Sequence, residues 1–282
     1  MKLAVLTDTS ATFTNMPHFD NLFILDIPIN IDGVEYIENK NITIDDFYIK
    51  IRQAEYFPKT SQPSIGMTFE LVEKLVEAGY DTIIGLFLSS GISGFYQTVQ
   101  ILQAQFPAVD FRLLDSKITS APLGEMVKTA LVMNEANQDI TQIIAALNQM
   151  IEGALAYIIV DDLNYLVRGG RLHASNAMIG NLLKIKPILM FDEGEIVPAE
   201  KVRTQKKSIK RLAELIKERT DEIPSKLWLI HANAFDKTAL LKAQLKADYG
   251  LHAEIVPFNA VITAHLGEGA IGVGFTPKLT DE

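Results

Sequence analysis

Short, β-rich apolar runs alternate with amphipathic helical patterns along the first half of this chain, and no other feature limits the possible folds as strongly. KLAVLTD (2–8), DTIIGLFLS (81–89) and VDFRLLDS (109–116) are too short and too rich in branched residues to read as helices. Between them, MTFELVEKLVEAG (67–79) carries a helical stripe that ends at a glycine, and FYQTVQILQAQF (95–106) reads as the next helix. Two more helical patterns fill 121–152. Strands that alternate with helices build parallel βαβ units. LFILDIPINIDGVEY (22–36) alternates around Asp32-Gly33, a hairpin signal. Thr43 is placed to cap a helix over 44–55, with Asp46 three residues on, and TSQPS (60–64) reads as a turn-rich loop.

The second half is more mixed. ALAYIIVDD (154–162) opens it, and KPILMFDEGEIVPAEKV (186–202) reads as a hairpin. Helices around 204–219 and 236–248 alternate with strands KLWLIHAN (226–233), HAEIVPFN (252–259) and AIGVGFTP (270–277). The fold class is therefore α/β, with a parallel-sheet N-terminal domain over 1–154 and a mixed α/β C-terminal domain over 155–282.

Charge and residue usage exclude several functions. With 26 basic and 35 acidic residues the net charge is −9, which disfavours broad nucleic-acid or anionic-membrane binding. There is no cysteine, so disulfides and thiolate chemistry are out, and the five histidines are too scattered for a metal cluster. The first apolar run, Leu3 to Leu6, is too short for a signal-peptide core. No run approaches the roughly 18 apolar residues of a membrane span. A soluble, cytoplasmic protein is expected, with no metal, no cofactor and at most transient membrane contact.

Three serines and two glycines crowd LFLSSGISGFYQTV (86–99). A hydrolase elbow needs G-x-S-x-G, but after Gly91-Ile92-Ser93 the second glycine, Gly94, comes one place early. On the string alone, Ser93 capping the following helix is the simplest reading. A third reading treats the loop as an anion site, because ligands of parallel sheets bind beyond the carboxyl ends of the strands. Asp8-Thr9-Ser10, Ser89-Ser90 and TSQPS would then bring hydroxyls together without a cation, which suits a carboxylate held by neutral donors. GEGAIG (267–272) matches a dinucleotide fingerprint literally, but too little chain follows it, so it reads as a tight loop before a last strand. His265 sits just before that loop. KVRTQKKSIKRL (201–212) has six basic residues and no acid, either a solvated helix face or a docking patch. RGGR (168–171) places two arginines about a glycine turn.

Taken in order, these strings resemble the DegV family, the fatty-acid-binding subunits of bacterial fatty acid kinase. The matching pieces are DTS (8–10), KTSQPS (59–64), LSSGISGFYQ (88–97), LNYLVRGGRL (163–172), GNLLKIKPIL (180–189), KVRTQKK (201–207) and ITAHLGEGAIGVGF (262–275). Phe95 and Glu268 stand where the family often has threonine and proline. The resemblance implies a two-domain DegV-like fold with a long-chain fatty acid buried between or beneath the domains. It implies Thr60, Ser61, Ser93, Gly94 and His265 as carboxylate ligands, and no catalysis by the chain alone. A separate kinase subunit is implied to phosphorylate the carboxylate with ATP, docking at Arg171 and Arg203. Burying about 14 methylenes of a C16 tail at ~0.8 kcal/mol each yields roughly 11 kcal/mol before losses, enough without a cationic clamp. The alternative is a serine-dependent lipid or acyl-ester hydrolase using Ser93.

Overall fold

The structure, a computed structural model, describes residues 2–173 and 175–279. The chain begins β1 (Leu3–Asp8), β2 (Leu22–Leu25), β3 (Ile29–Ile31), β4 (Val34–Tyr36), α1 (Ile44–Gln53), β5 (Lys59–Thr60), α2 (Ile65–Glu77) and β6 (Thr82–Phe87). It continues through α3 (Phe95–Val99), α4 (Ile101–Gln105), β7 (Asp110–Asp115), α5 (Ser120–Glu135) and α6 (Ile140–Gly153). Then follow β8 (Leu155–Ile159), α7 (Asn164–Gly169), α8 (Asn176–Leu182), β9 (Ile188–Asp192), β10 (Glu195–Glu200) and α9 (Gln205–Glu222). The last elements are β11 (Ser225–His231), α10 (Phe235–Tyr249), β12 (Glu254–Pro257), α11 (Ala260–Leu266) and β13 (Ile271–Pro277).

Strands β2-β1-β6-β7 form a parallel sheet, and β10-β9-β8-β13-β11-β12 form a mixed one. Every residue of β1, β6 and β13 is buried, as central strands covered on both faces require. Alternation assigns their side chains to two cores. Ala4, Leu6, Ile83 and Phe87 meet Val72 and Leu75 of α2, Phe95 and Val99 of α3 and Leu102 of α4. Val5, Ile84 and Leu86 turn the other way, into a core shared with Met126, Val127 and Leu131 of α5. On the second sheet, Leu227 and Leu229 of β11 pack with Leu212 and Ile216 of α9 and Leu241 of α10, while Trp228 and Ile230 face the shared core. Helix α5 touches β1 and β6 of one sheet and β11 and β13 of the other, so it is sandwiched between them. Helix α6 packs on α5 and β13.

Local structure follows the sequence closely in places. Asp32 and Gly33 both have positive φ, +48° and +85°, the pattern of a two-residue turn between β3 and β4. Glu193 and Gly194 repeat it between β9 and β10. The Thr43 hydroxyl accepts the Asp46 N–H at 3.1 Å and donates to the Asp46 carboxylate at 2.8 Å, rather than leaving that carboxylate for its own backbone.

Elsewhere the structure differs from the pattern. The segment 95–106 is two short helices that meet at Gln100, whose backbone N–H donates to the Thr98 carbonyl and whose side-chain amide donates to the Tyr96 carbonyl at 3.3 Å. Thr60, the first residue of the expected 60–64 loop, belongs with Lys59 to strand β5, paired antiparallel with β3, and 61–64 is irregular as expected. Helix α11 escapes the sequence pattern, because Ala260–Ala264 are buried all round and show no exposed polar face to mark the helical period.

Candidate functional site

A cavity of about 300 Å³ is lined by the six-stranded sheet, by Thr60 of β5 and by the segments that follow β2, β6 and β7. Ile158 of β8, Phe191 of β9, Ile196 of β10 and Ile230 of β11 supply apolar surface, with Leu88 and Ile118. Polar side chains gather in one part of the lining: Thr60, Ser61, Gln62, Ser93, Arg171 and His265, with Gly94 beside them. All five residues expected at a carboxylate therefore line one cavity.

Each is fixed by its element. Pairing with Ile29 holds Thr60, and the Ser61 N–H donates to the Pro28 carbonyl at 3.1 Å. Thr60 Oγ1 and His265 Nε2 are 2.7 Å apart, which joins β5 to α11. The three serines of 89–93 have different roles. Ser89 Oγ donates to the Gly194 carbonyl at 2.6 Å, and the Ser90 N–H donates to the Asp115 carboxylate at 3.0 Å. Ser93 alone of the three lines the cavity, with its neighbours Ile92 and Gly94, and among the described residues its Oγ accepts only the Phe95 N–H, at 3.3 Å. The N-cap of α3 is Gly94, one residue later than the capping reading of Ser93 placed it.

The DTS strip does not join the cavity lining. Asp8 is buried, and its two carboxylate oxygens accept the Ser10 and Leu88 N–H groups, each at 2.9 Å, which brackets β1 against β6. Burial raises its pKa. Thr9 Oγ1 accepts the Ile27 N–H at 3.0 Å. These groups shape the backbone and leave ligand contact to others.

The expectation of a site without a cation is also overturned. Arg171 lines the cavity, donating from Nε to the Ile92 carbonyl at 3.1 Å and from a terminal nitrogen to the Gly169 carbonyl. Among the described residues no carboxylate pairs with it, and burial lowers its pKa. His265 is pushed down to about 4, by burial first and the Arg171 charge second, so it is neutral at pH 7. Arg203 lies apart, exposed beside a smaller pocket that it lines with Asp161, Asp162, Lys184 and Lys186. Sequence reasoning passed over Gln62, Thr119 and Ser120, which also line the main cavity.

This arrangement is poor at nucleophilic catalysis. A serine nucleophile needs a basic imidazole steadied by an acid. The His265 Nε2 is engaged by Thr60, and its Nδ1 faces Gly169, where an added Cβ would come within 2.8 Å. Among the described residues no carboxylate bonds to its ring, and no group of three metal-ligating side chains occurs. No helix among them is long and apolar enough to cross a membrane. Donors at one part of an otherwise apolar cavity suit the capture of an amphiphile with an anionic end.

Comparison with known proteins gives the same direction. A family profile described as "Uncharacterised protein, DegV family" matches residues 2–278. A DegV domain-containing protein of Streptococcus pyogenes serotype M1 is 48% identical over 282 residues, covering 99% of this chain and 100% of the relative. The crystal structure of a fatty acid binding DegV family protein from Streptococcus agalactiae superposes with a TM-score of 0.95 at 46% identity, over 99% of this chain and 100% of that one. DegV from Bacillus subtilis, described as a fatty acid binding protein, superposes at 0.86 with 34% identity and the same coverage. With a family match over nearly its whole length and relatives this similar, the chain belongs to the DegV family.

Proposed function

We propose that the cavity holds one long-chain fatty acid, with its carboxylate among Thr60, Ser61, Ser93, the Gly94 backbone and His265. The observation that carries this reading is the polar cluster itself: hydroxyls, a neutral imidazole and a guanidinium without an acid partner among the described residues, set into apolar walls. The fatty-acid-binding relatives support it. An apolar tail supplies affinity through burial. The hydroxyls orient the carboxylate and leave one oxygen free to react. The chain is then a carrier, not a catalyst on its own. It presents the carboxylate to a separate ATP-dependent kinase subunit, which forms the acyl phosphate in the cytoplasm. Residues 1–154 and 155–282 act as two units that close over the lipid, and Arg171 and Arg203 serve kinase docking, Arg171 also facing the head group.

The test is denaturing mass spectrometry of lipid extracted from the purified protein, followed by uptake of oleate or palmitate by delipidated protein. About one fatty acid per chain is expected. Extracts without stoichiometric fatty acid, combined with no uptake, overturn the reading.

A further inference from the structure

The cavity crosses the inner face of the six-stranded sheet. Ile196 of β10, Phe191 of β9, Ile158 of β8, Gly272 of β13 and Ile230 of β11 line it in the order of the strands. From β10 to β11, at ~4.8 Å per strand, the span is about 19 Å, somewhat over half of the ~30 Å hydrocarbon core that two acyl chains fill end to end. The polar cluster stands at the β10 end: Leu172, next to Arg171, bridges to Ile196, and Arg171 donates to the Ile92 carbonyl. Phe258 stands at the β11 end, where its N–H donates to the His231 carbonyl at 2.8 Å. Phe258 precedes α11, and His265 lies in the last turn of that helix. Among the described residues none of β12, the next strand, lines the cavity.

Gly272 is shaped to receive Phe258. Strand register places the glycine between Ile158 and Ile230, in one row across the sheet. Those two neighbours and Phe258 belong to the core on the cavity side, whereas Val273 belongs to the core on the other face. Alternation therefore aims position 272 at the cavity side. There an added Cβ would lie 2.5 Å from Phe258 Cζ, and 3.3 and 3.5 Å from the two Cε atoms. The tip of the ring rests in the notch that the glycine leaves, with Ile158 and Ile230 on either side. A glycine inside a strand weakens it and often marks the close approach of another group. Phe258 is buried, so its ring is a fixed apolar surface at this end of the cavity.

We infer that Phe258, seated on Gly272, is the end-stop of the acyl cavity and sets the longest chain the protein accepts. This rests on the fatty-acid reading above and deepens it from a lipid class to a length limit. Each methylene that the cavity can bury contributes about fourfold in affinity. Past the stop, a further carbon has to displace the ring or fold back, and affinity falls.

The experiment titrates delipidated full-length protein with the saturated fatty acids from myristate to arachidate. It compares the parent, Phe258→Leu and Phe258→Ala, with thermal melts of the lipid-free proteins alongside. The parent is expected to gain affinity up to one length and to lose it beyond. In Phe258→Ala the best length should rise by about two carbons, and the affinity ratio of arachidate to palmitate by about tenfold or more. Phe258→Leu, which removes less of the ring's volume, should raise the same ratio by about threefold or more. Myristate, the shortest acid, should be affected least. A best length that is the same in all three proteins overturns the proposal. So does an equal loss at every length, which would make the ring core packing only, and so does affinity that keeps rising through arachidate in the parent. If Phe258→Ala melts below the assay temperature, Phe258→Leu decides by the same outcomes. Failure of every acid to bind the parent would instead overturn the underlying fatty-acid reading, and this proposal with it.

Discussion

His265 holds no charge at neutral pH, because burial and then the Arg171 guanidinium bring its pKa from 6.5 down to about 4. In the unfolded chain the same ring takes its proton near pH 6.5. Between those values the unfolded state binds more protons, so the stabilising difference present above pH 6.5 is lost as pH falls towards 4. At most about 3 kcal/mol is involved. Thermal melts of lipid-free protein are expected to drop over that window, and His265→Gln to flatten the drop. Parallel curves for the two proteins would show that His265 does not titrate in this way. A bound carboxylate changes the sign of the local field, raises the imidazole pKa, and makes the loaded protein less acid-sensitive than the empty one. Ser93 separates binding from structure in another way. Among the described residues its Oγ accepts only the Phe95 N–H, at 3.3 Å. Ser93→Ala is expected to weaken fatty-acid retention by the ~1.5–3 kcal/mol of a hydrogen bond to a charged group, with little change in melting. A melting point lowered by about 1 kcal/mol of stability with unchanged lipid exchange would make Ser93 a capping residue only.

The β9–β10 hairpin is the element that steadies the serine loop. Its tip carbonyl at Gly194 accepts Ser89 Oγ, and Lys117 pairs with Glu193 beside it. Gly91 approaches so closely that an added Cβ would lie 2.4 Å from the Gly194 carbonyl oxygen, a backbone atom that cannot swing aside. The same hairpin sends Phe191 and Ile196 into the cavity wall. Gly91→Ala is therefore expected to push hairpin and loop apart, costing about 1–3 kcal/mol of stability and loosening lipid retention together. Retention unchanged in a destabilised variant would uncouple the hairpin from the site. Much of this level was legible in the sequence: the buried strands, the Asp32-Gly33 and Glu193-Gly194 turns and the helices with a clear apolar stripe all announce themselves. What was hidden is what depends on distant partners. Nothing local makes Lys59–Thr60 a strand until Ile29 lies beside it, and nothing local shows α11 in the wholly buried run Ala260–Ala264. The Arg171 side chain reads as a surface arginine in RGGR, and only folding turns it to the cavity. Likewise, DTS looks like a ligand strip, but its carboxylate and first hydroxyl accept the backbone N–H groups of Leu88, just past β6, and of Ile27.

At the scale of the whole molecule, the proposed function requires a kinase subunit to reach the carboxylate of a lipid held in the cavity, and surface charge can guide that meeting. The chain carries a net charge of −9, yet Lys201, Arg203, Lys206 and Lys207 all stand exposed about the start of α9. Within that helix Arg211 is drawn off by Glu200, Glu214 and Glu218, whereas Arg203 forms no ion pair among the described residues and opens on the pocket it lines with Lys184, Lys186, Asp161 and Asp162. A positive island on an acidic molecule orients an acidic partner as it approaches. Rim charges of this kind act mainly on the association rate and its salt dependence. Arg203→Ala is therefore expected to leave fatty-acid binding unchanged and to lower acyl-phosphate formation by the kinase subunit at limiting carrier concentration. Arg203→Glu should do worse, since like-charge repulsion replaces the lost attraction. Both defects should shrink as salt rises and the Debye length falls from ~10 Å at 0.1 M towards ~3 Å at 1 M. The measurement is initial rate against carrier concentration at low and high salt for the three proteins. If both variants follow the parent at every concentration and salt, the exposed start of α9 is a solvated helix face, and docking has to be sought nearer Arg171, where the cavity itself carries a guanidinium.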